Sequence, residues 1–360
     1  MPSLESYRSD IDRIDDQILR LLGDRAKAVI AIGAIKMANG EGVNLHTANR
    51  EAKVFERLFK NNPGPYPNEA IRHVFREIMS ASLCLEGPIK VAYLGPKGTF
   101  THLAGIRKLG SSAEYIPIHS IKGVFQEVCR GQANFGIVPV ENSTEGVVNH
   151  TLDMFFESSA TIYGEISQEI SHHFLSKATT LDEIKTIYSH PHAIAQCRNW
   201  IEDNIPGPPV IDVFSTGRAA ELAAEDPTTA AIASELAAKI YGLNIMEKHI
   251  EGHLNNYTRF LVLSNHAPER TRKSKTSLMI YTKDRPGGLC DLLRPFATHG
   301  INLTRVESRP SRQKAWEYVF FIDIEGHIDD ELVTKTIHEL ETQTLGMKLL
   351  GSYPAEEHEK

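Results

Sequence analysis

Apolar positions in the first part of the chain recur on alternating steps of three and four: Leu4, Tyr7, Ile11, Ile14, Ile18, Leu21, Ala28, Ile32 and Ile35. That is the a/d seam of one very long helix. Gly23 and Gly33 weaken it, no proline interrupts it, and Gly40 and Gly42 end it. A second helix is expected from near Thr47 to before Asn61-Asn62-Pro63-Gly64-Pro65. A third is expected from about Pro67 to Glu86, stopped by Gly87-Pro88. Three such helices cannot bury that seam alone, so the pattern predicts a helical dimer with entwined chains.

The pattern changes at Ile89. IKVAYLG, FGIVPV, TIYSH, PVIDVF and TAAIAS are short apolar runs, most of them separated by helical stretches. Short strands alternating with helices predict an α/β sheet of mostly parallel strands, closed by the apolar run RFLVLS near Asn265. The polar, basic stretch APERTRKSK then reads as a linker. After it come a strand (TSLMIYT), a helix with a glycine stop (GGLCDLLRPFATHG), two strands (INLTRVESRP, AWEYVFFIDIEG), a helix (DDELVTKTIHELETQT) and a last strand (MKLLGSYP). That βαββαβ order is the ferredoxin-like arrangement.

Bulk composition narrows the classes. With 360 residues, two or three domains are expected. The formal net charge of -7 speaks against a nucleic-acid binder. Cys84, Cys129, Cys197 and Cys290 lie far apart with no CxxC pair, against a disulfide framework or zinc site. The start, MPSLESYRSDID, is polar and acidic, unlike a signal peptide, and no run reaches the ~18 apolar residues of a membrane span. The cytoplasm is the expected compartment.

Candidate chemistry sits in each segment. Arg25 occupies a seam position where an apolar residue is expected, and a charge there must be paired. Lys36, eleven residues on, shares its face. Arg50-Glu51 opens the second helix, and Ser82 and Glu86 stand one turn apart on the third. Each could be an intersubunit salt bridge. Together they describe a pocket of several cations and few acids, suited to a small dianion. Arg8 lies about 26 Å along the helix from Arg25, so it reaches that pocket only from a second chain.

In the middle segment, YLGPKGTFTH places Gly95, Gly98, Thr99 and Thr101 at a helix mouth, where backbone NH groups can hold a carboxylate. VPVENSTEG offers Asn142, Ser143 and Thr144 after a strand. Neither is a nucleotide fingerprint. His190 and His192 in SHPHAIAQC, like His172-His173, lack the carboxylates or cysteines that complete a ligand set, so no metal is expected. In NYTRF, Thr258, Arg259 and Phe260 open an apolar strand, where they could simply cap it.

These pieces carry a family resemblance. YRSDIDRIDDQILRLLGDRAKAVIAIGAIK, NREA and SASLCLE resemble the all-helical chorismate mutases fused to prephenate dehydratases. LGPKGTFTH, VPVENSTEG, YSHPHAIAQC and NYTRF, in this order, resemble prephenate dehydratase. The last segment, with Glu307-Ser308-Arg309-Pro310 intact and Gly287-Gly288-Leu289-Cys290 before its first helix, resembles ACT domains. The resemblance implies a multidomain chain. Residues 1–88 would form an all-α three-helix chorismate mutase (an entwined dimer). Residues 89–266 would form an α/β two-lobed dehydratase, built like periplasmic binding proteins. Residues 275–360 would form an α+β ferredoxin-like ACT domain.

It also implies roles. Arg8 from a second chain, Arg25, Lys36, Arg50, Glu51, Ser82 and Glu86 would line the mutase pocket. Lys36 and Glu86 would flank the ether oxygen as chorismate rearranges to prephenate, with Glu86 protonated. Thr99, Thr101, Asn142, Ser143, Thr144, Thr258, Arg259 and Phe260 would contact prephenate. Thr258 would donate a hydrogen bond to the departing hydroxyl and Arg259 would hold a carboxylate; Glu141 and His253 are candidate acids. Gly287, Gly288, Leu289, Glu307, Ser308, Arg309 and Pro310 would bind phenylalanine as feedback inhibitor, in a homodimer or dimer of dimers. No cofactor, metal, nucleic acid or membrane partner is implied. Thr47 and Asn49 stand where the best-known mutases carry an aspartate. This leaves two other readings open: a dehydratase whose helical segment only dimerises, or a non-catalytic small-molecule receptor with an ACT sensor.

Overall fold

The computed structural model describes residues 3–38, 48–252, 256–282, 285–310 and 318–356. The chain divides into two compact units, Met1–Lys90 with Leu109–Glu114, and Val91–Lys108 with Tyr115–Lys360. No helix among the described residues is long and apolar enough to cross a membrane.

The first unit is built on α1 (Leu4–Ala38), α2 (Ala48–Lys60) and α3 (Asn68–Glu86). Gly40, Gly42 and Thr47, expected to end α1 and begin α2, lie outside the described residues. α3 packs on both other helices. At Gly33 the α1 backbone comes so near α3 that a Cβ would stand 3.3 Å from Glu86 Cγ. The seam itself is open: Leu4, Tyr7, Ile11, Ile14, Ile18, Leu21, Ile32 and Ile35 are 48–68% exposed. A helix that bares its whole apolar stripe has an unfilled packing requirement.

The second unit opens with β1 (Lys90–Leu94), α4 (Phe100–Leu109), β2 (Glu114–Ile118), α5 (Ile121–Cys129), β3 (Phe135–Asn142), β4 (Gly146–Val147), α6 (Asn149–Met154) and β5 (Thr161–Glu169). A second lobe follows: β6 (His173–Ser176), β7 (Thr186–Ser189), α7 (Pro191–Asn204), β8 (Val210–Asp212), α8 (Thr216–Glu225), β9 (Thr229–Ala233), α9 (Glu235–Tyr241) and β10 (Asn244–Glu247). β11 (Tyr257–Ser264) then returns to the first lobe. Ser120, Ser215 and Ser234 cap α5, α8 and α9, each hydroxyl accepting a backbone NH of the first turn.

The two lobes carry a sheet each, and both are mixed rather than mostly parallel. The first runs β2-β1-β3-β11-β5 with β4 on β3; the second runs β10-β6-β9-β7-β8. β11 lies antiparallel between β3 and β5. The chain therefore crosses between lobes twice, after β5 and before β11.

The last elements are β12 (Ser274–Thr282), α10 (Gly288–Thr298), β13 (Leu303–Pro310), β14 (Tyr318–Glu325), α11 (Glu331–Gln343) and β15 (Gly346–Pro354), in the βαββαβ order and the sheet order β13-β14-β12-β15. Ser274 and Lys275, read as linker, already pair in β12. Strand alternation gives this sheet two faces. Leu278, Ile280, Phe320, Ile322 and Ile324 pack with Leu292 and Phe296 of α10 and with Val333 and Leu340 of α11. Met279, Val319, Phe321, Leu350 and Tyr353 share a core with Leu261 and Leu263 of β11. The small sheet thus docks on the strand that leads out of NYTRF.

Candidate functional site

In the helical unit, Arg25 donates to the Ser82 hydroxyl, which itself donates to the Ile78 carbonyl at 2.6 Å. Burial lowers the Arg25 pKa first, and the nearby Arg50 lowers it further. A half-buried guanidinium with the exposed Arg50 close enough to repel it, and the half-buried Lys36 further along α1, favours an anion. Lys36 Nζ stands 2.9 Å from Glu86 Oε2, and the Glu86 side chain is only 8% exposed. Glu51 is half-buried at the start of α2. Arg8 lies on the exposed stretch of α1, seventeen residues before Arg25, so one chain brings Arg25, Lys36, Arg50, Ser82 and Glu86 together and leaves Arg8 apart. Thr47 and the Asn49 side chain lie outside the described residues.

In the α/β part, Thr258 of β11 and Asn142 of β3 are register partners. Asn142 Nδ2 donates to Thr258 Oγ1 at 2.8 Å and to Asn256 Oδ1 at 3.0 Å. Asn142 Oδ1 accepts from the Thr144 NH at 2.9 Å, the Thr144 hydroxyl at 2.6 Å and the Glu145 NH at 3.1 Å. That closed set of bonds is an Asx turn that fixes the amide. Thr258 thereby accepts one hydrogen bond through its oxygen, and its own proton stays available for donation. Ser143 accepts from the Tyr257 NH at 3.0 Å and ties the same turn to β11.

The network runs on to residues that the sequence reading passed over. Asn256 Nδ2 donates to Gln196 Oε1 at 2.9 Å, and His172 Nε2 lies 2.8 Å from the same oxygen. An oxygen that accepts requires His172 to donate through Nε2, which leaves Nδ1 as an acceptor. That Nδ1 is buried with no hydrogen-bond partner among the described residues. Burial is the main reason the His172 pKa is lowered, so the imidazole is neutral. Gln196 Nε2 reaches Thr144 Oγ1 at 3.4 Å, and His192 Nδ1 reaches Glu145 Oε2 at 2.5 Å. Gln196 and His192 belong to the second lobe, Asn142 and Thr258 to the first, and His172 and Asn256 to the two crossings. Asn256 and Gln196 stood inside NYTRF and SHPHAIAQC, and a run of amides beside a hydroxyl was the signal available.

The GPKGTF loop borders the lobes. Gly98 takes φ +80°, and a Cβ there would stand 3.0 Å from Ala237; its carbonyl accepts from Ser234 at 2.9 Å. The Thr99 hydroxyl donates within its own loop, to Pro96 O at 3.1 Å and Leu94 O at 3.2 Å. Thr101 is buried. The loop therefore offers backbone NH groups rather than the Thr99 hydroxyl.

Two expectations are corrected. Alternation sends Arg259 to the face opposite Thr258. There Arg259 Nε meets Glu165 Oε2 at 2.8 Å, and Nη2 meets Asp323 Oδ2 at 2.7 Å and the Tyr353 hydroxyl at 3.2 Å. Burial works against its charge, but Asp323, Tyr353 and Glu165 outweigh that and raise its pKa. It clamps the small sheet and does not reach the Thr258 side. Glu141, a candidate acid, faces the same way, 3.4 Å from Arg305 Nε. Phe260 is buried on the Thr258 face as core. His253 lies outside the described residues.

In the small domain, Gly287 takes φ +80° just before α10; the Gly288 NH donates to Arg285 O at 3.0 Å, so Leu289 and the residues after it carry the NH groups of that helix start. The register of β13 against β14 splits ESRP. Ser308 and Pro310 lie on the helix-bearing face. Glu307 and Arg309 lie on the docking face, where Arg309 Nη2 meets Asp153 Oδ1 of α6 at 2.9 Å. Within one chain, Arg309 and Glu307 thus lie on the face opposite Ser308 and Pro310.

Among the described residues no His, Cys, Asp and Glu group could hold a metal ion. Residues 7–87 match the family of chorismate mutase type II, 91–268 that of prephenate dehydratase, and 276–342 the ACT domain. The chain is 49% identical over 358 residues to the bifunctional chorismate mutase/prephenate dehydratase of Aquifex aeolicus strain VF5, covering 98% of each chain. Among solved structures, the prephenate dehydratase of Arthrobacter aurescens in complex with L-Phe is 34% identical, with a TM-score of 0.68 over 74% of this chain and 90% of that one. GqqA, described as a novel type of quorum quenching acylase, is 29% identical, with a TM-score of 0.69 over 75% and 100%.

Proposed function

Since this chain belongs to the family of bifunctional chorismate mutase/prephenate dehydratases, as its 49% identity over 98% of such a relative shows, we propose that it converts chorismate to prephenate and prephenate to phenylpyruvate, under feedback by phenylalanine. The working division is residues 1–88 for the mutase, 89–266 for the dehydratase and 275–360 for the ACT domain. The compartment is the cytoplasm.

The mutase reaction needs no covalent chemistry. Arg25 and Arg50 hold the two carboxylates so that the substrate folds on itself, with Arg8 contributed by a second, entwined copy. Ser82 fixes the Arg25 fork, and Glu51 orients the substrate at the start of α2. Lys36 and a protonated Glu86 donate to the ether oxygen as charge develops there.

In the dehydratase the two lobes close on prephenate as in periplasmic binding proteins. Thr258, its oxygen held by Asn142, donates to the departing ring hydroxyl. Loss of that hydroxyl and of carbon dioxide aromatises the ring, so the protein has mainly to orient the substrate and stabilise the leaving oxygen. Ser143 and Thr144 shape the turn beneath it. The NH groups behind Thr99 and Thr101 receive a carboxylate at the mouth of α4. Phe260 is the packed floor. The observation that carries this reading is the Asn142–Thr258 bond, in which the threonine oxygen accepts and its proton is left for donation.

In the ACT domain, Gly287, Gly288 and Leu289 with Ser308 and Pro310 form the phenylalanine site on the helix-bearing face, completed by a second copy. The test is one coupled assay on the full chain. Chorismate and prephenate are supplied separately, and phenylpyruvate is followed with and without phenylalanine. Phenylpyruvate from both substrates, suppressed by phenylalanine, is the expected result. Turnover of prephenate alone would reduce the helical unit to a dimerisation device. Turnover of neither would leave a receptor.

A further inference from the structure

The strand pair that carries Thr258 and Asn142 carries a second pair on its back. Thr258 stands opposite Asn142 and Arg259 opposite Glu141, and the ladder shifts register immediately after, between Arg259 and Phe260. These two pairs therefore lie beyond a bulge on the β3 side, while β11 keeps its register with β5 from Tyr257 to Val262. Facing them, Arg305 and Asp323 are again register partners, on β13 and β14. Four charges thus meet as two crossed pairs, Arg259 with Asp323 at 2.7 Å and Glu141 with Arg305 at 3.4 Å.

The two pairs differ in firmness. Arg259 is also held by Glu165, and Glu165 by Lys275 at 2.6 Å. Asp323 also accepts from Ser277 at 2.5 Å. That half carries more contacts, although Asp323 Oδ2 meets Arg259 as an ion pair without hydrogen-bond geometry. The Glu141 side chain is 40% exposed and its contact to Arg305 is long. Arg305 Nη2 is buried with no hydrogen-bond partner among the described residues, so this half has unmet capacity to tighten. Apolar side chains from Leu261, Leu263, Met279 and Phe321 already hold the sheets together. Replacing buried ion pairs with apolar residues is often neutral or stabilising, so cohesion alone does not account for the four charges.

We propose that Glu141 is a positioning residue of the dehydratase: its ion pair with Arg305 sets the end of β3 from which the Asn142 turn projects, and through that turn the Thr258 hydroxyl. A one-residue step on β3 separates the charge from the amide, and a 2.8 Å bond joins the amide to the hydroxyl. Arg305 shares β13 with Ser308, so the effector strand and the catalytic strand meet at this contact. A ligand that displaces β13 changes the Glu141–Arg305 pair and with it the position of the Thr258 hydroxyl. The proposal rests on the dehydratase and phenylalanine readings above.

The experiment is a double-mutant cycle in the full chain with Glu141→Gln, Arg305→Gln and both together. Turnover of prephenate, its KM, turnover of chorismate as the folding control in the same chain, and phenylalanine binding by equilibrium dialysis are measured. Each single variant is expected to lower dehydratase kcat about fivefold with little change in KM. The double variant should show the same factor rather than the product of the two. Maximal inhibition by phenylalanine should fall in all three while phenylalanine still binds. Unchanged kcat, a double variant showing the product of the single effects, or loss of a pH limb on Glu141→Gln alone (the signature of an acid acting directly) would overturn the positioning role. A wild-type chain that does not turn over prephenate would instead remove the dehydratase reading on which it stands.

Discussion

At the scale of single residues, the chemistry of the dehydratase comes down to one hydroxyl held from behind. Thr258→Val keeps the branched shape and removes the donor, so kcat on prephenate should fall about 100-fold or more, with chorismate turnover unchanged. A near-wild-type kcat would exclude Thr258 as the donor to the leaving oxygen. Sequence motifs put Thr258 and Asn142 on the same shortlist, but nothing local to either residue says that they touch, because their pairing spans 116 positions. Arg259 shows the opposite failure. The residue beside Thr258 looked like a carboxylate partner, yet a strand presents neighbours to opposite sides, and what lay behind β11 depended on where the small domain docked. The same alternation turns Arg309 towards Asp153. Gln196 was overlooked, and His172 was weighed only as a metal ligand, because an amide or a neutral imidazole acts only through its neighbours.

At the scale of elements, periodicity located the helices and most strands, including the whole βαββαβ unit. It did not give sheet order, since the insertion of β11 between β3 and β5 is decided by long-range pairing after the second lobe is complete. One consequence of α4 is testable through pH. The His102 ring stacks on Tyr93 with centroids 4.5 Å apart and sits tilted against Tyr115 at 5.2 Å, and its Nδ1 accepts the Gly98 NH of the GPKGTF loop at 3.3 Å. Burial, and secondarily Lys97, pulls its pKa from 6.5 down to about 4. The folded chain thus needs the neutral ring. Its stabilising contribution is complete above pH 6.5 and is lost as pH falls from 6.5 towards 4, where the unfolded chain takes up the proton first. His102→Gln removes that linkage. The difference in Tm between wild type and His102→Gln should therefore shrink over that window. A constant difference would show that His102 does not resist protonation in the fold.

At the scale of the whole molecule, the seam of α1 asks for a second chain. Eight apolar side chains on one helix face, each 48–68% exposed, have no cover within their own unit, and the heptad spacing that was legible in the sequence is the spacing a second helix would fill. The same helix separates Arg8 from Arg25 by seventeen residues, about 26 Å. If the mutase pocket takes Arg8 from the second chain, each site of a dimer draws on both copies. Arg8→Ala and Arg25→Ala should then each lower mutase kcat/KM by about two orders of magnitude as homodimers, since each removes a charge that contacts the dianion. After subunit exchange in an equimolar mixture, half of the dimers are hybrids, and one of the two sites in each hybrid keeps both arginines. The mixture should therefore recover about a quarter of wild-type mutase activity, while the dehydratase activity of every species stays unchanged and serves as the concentration standard. Purified hybrids with no recovered mutase activity would mean that Arg8 and Arg25 do not serve the same site.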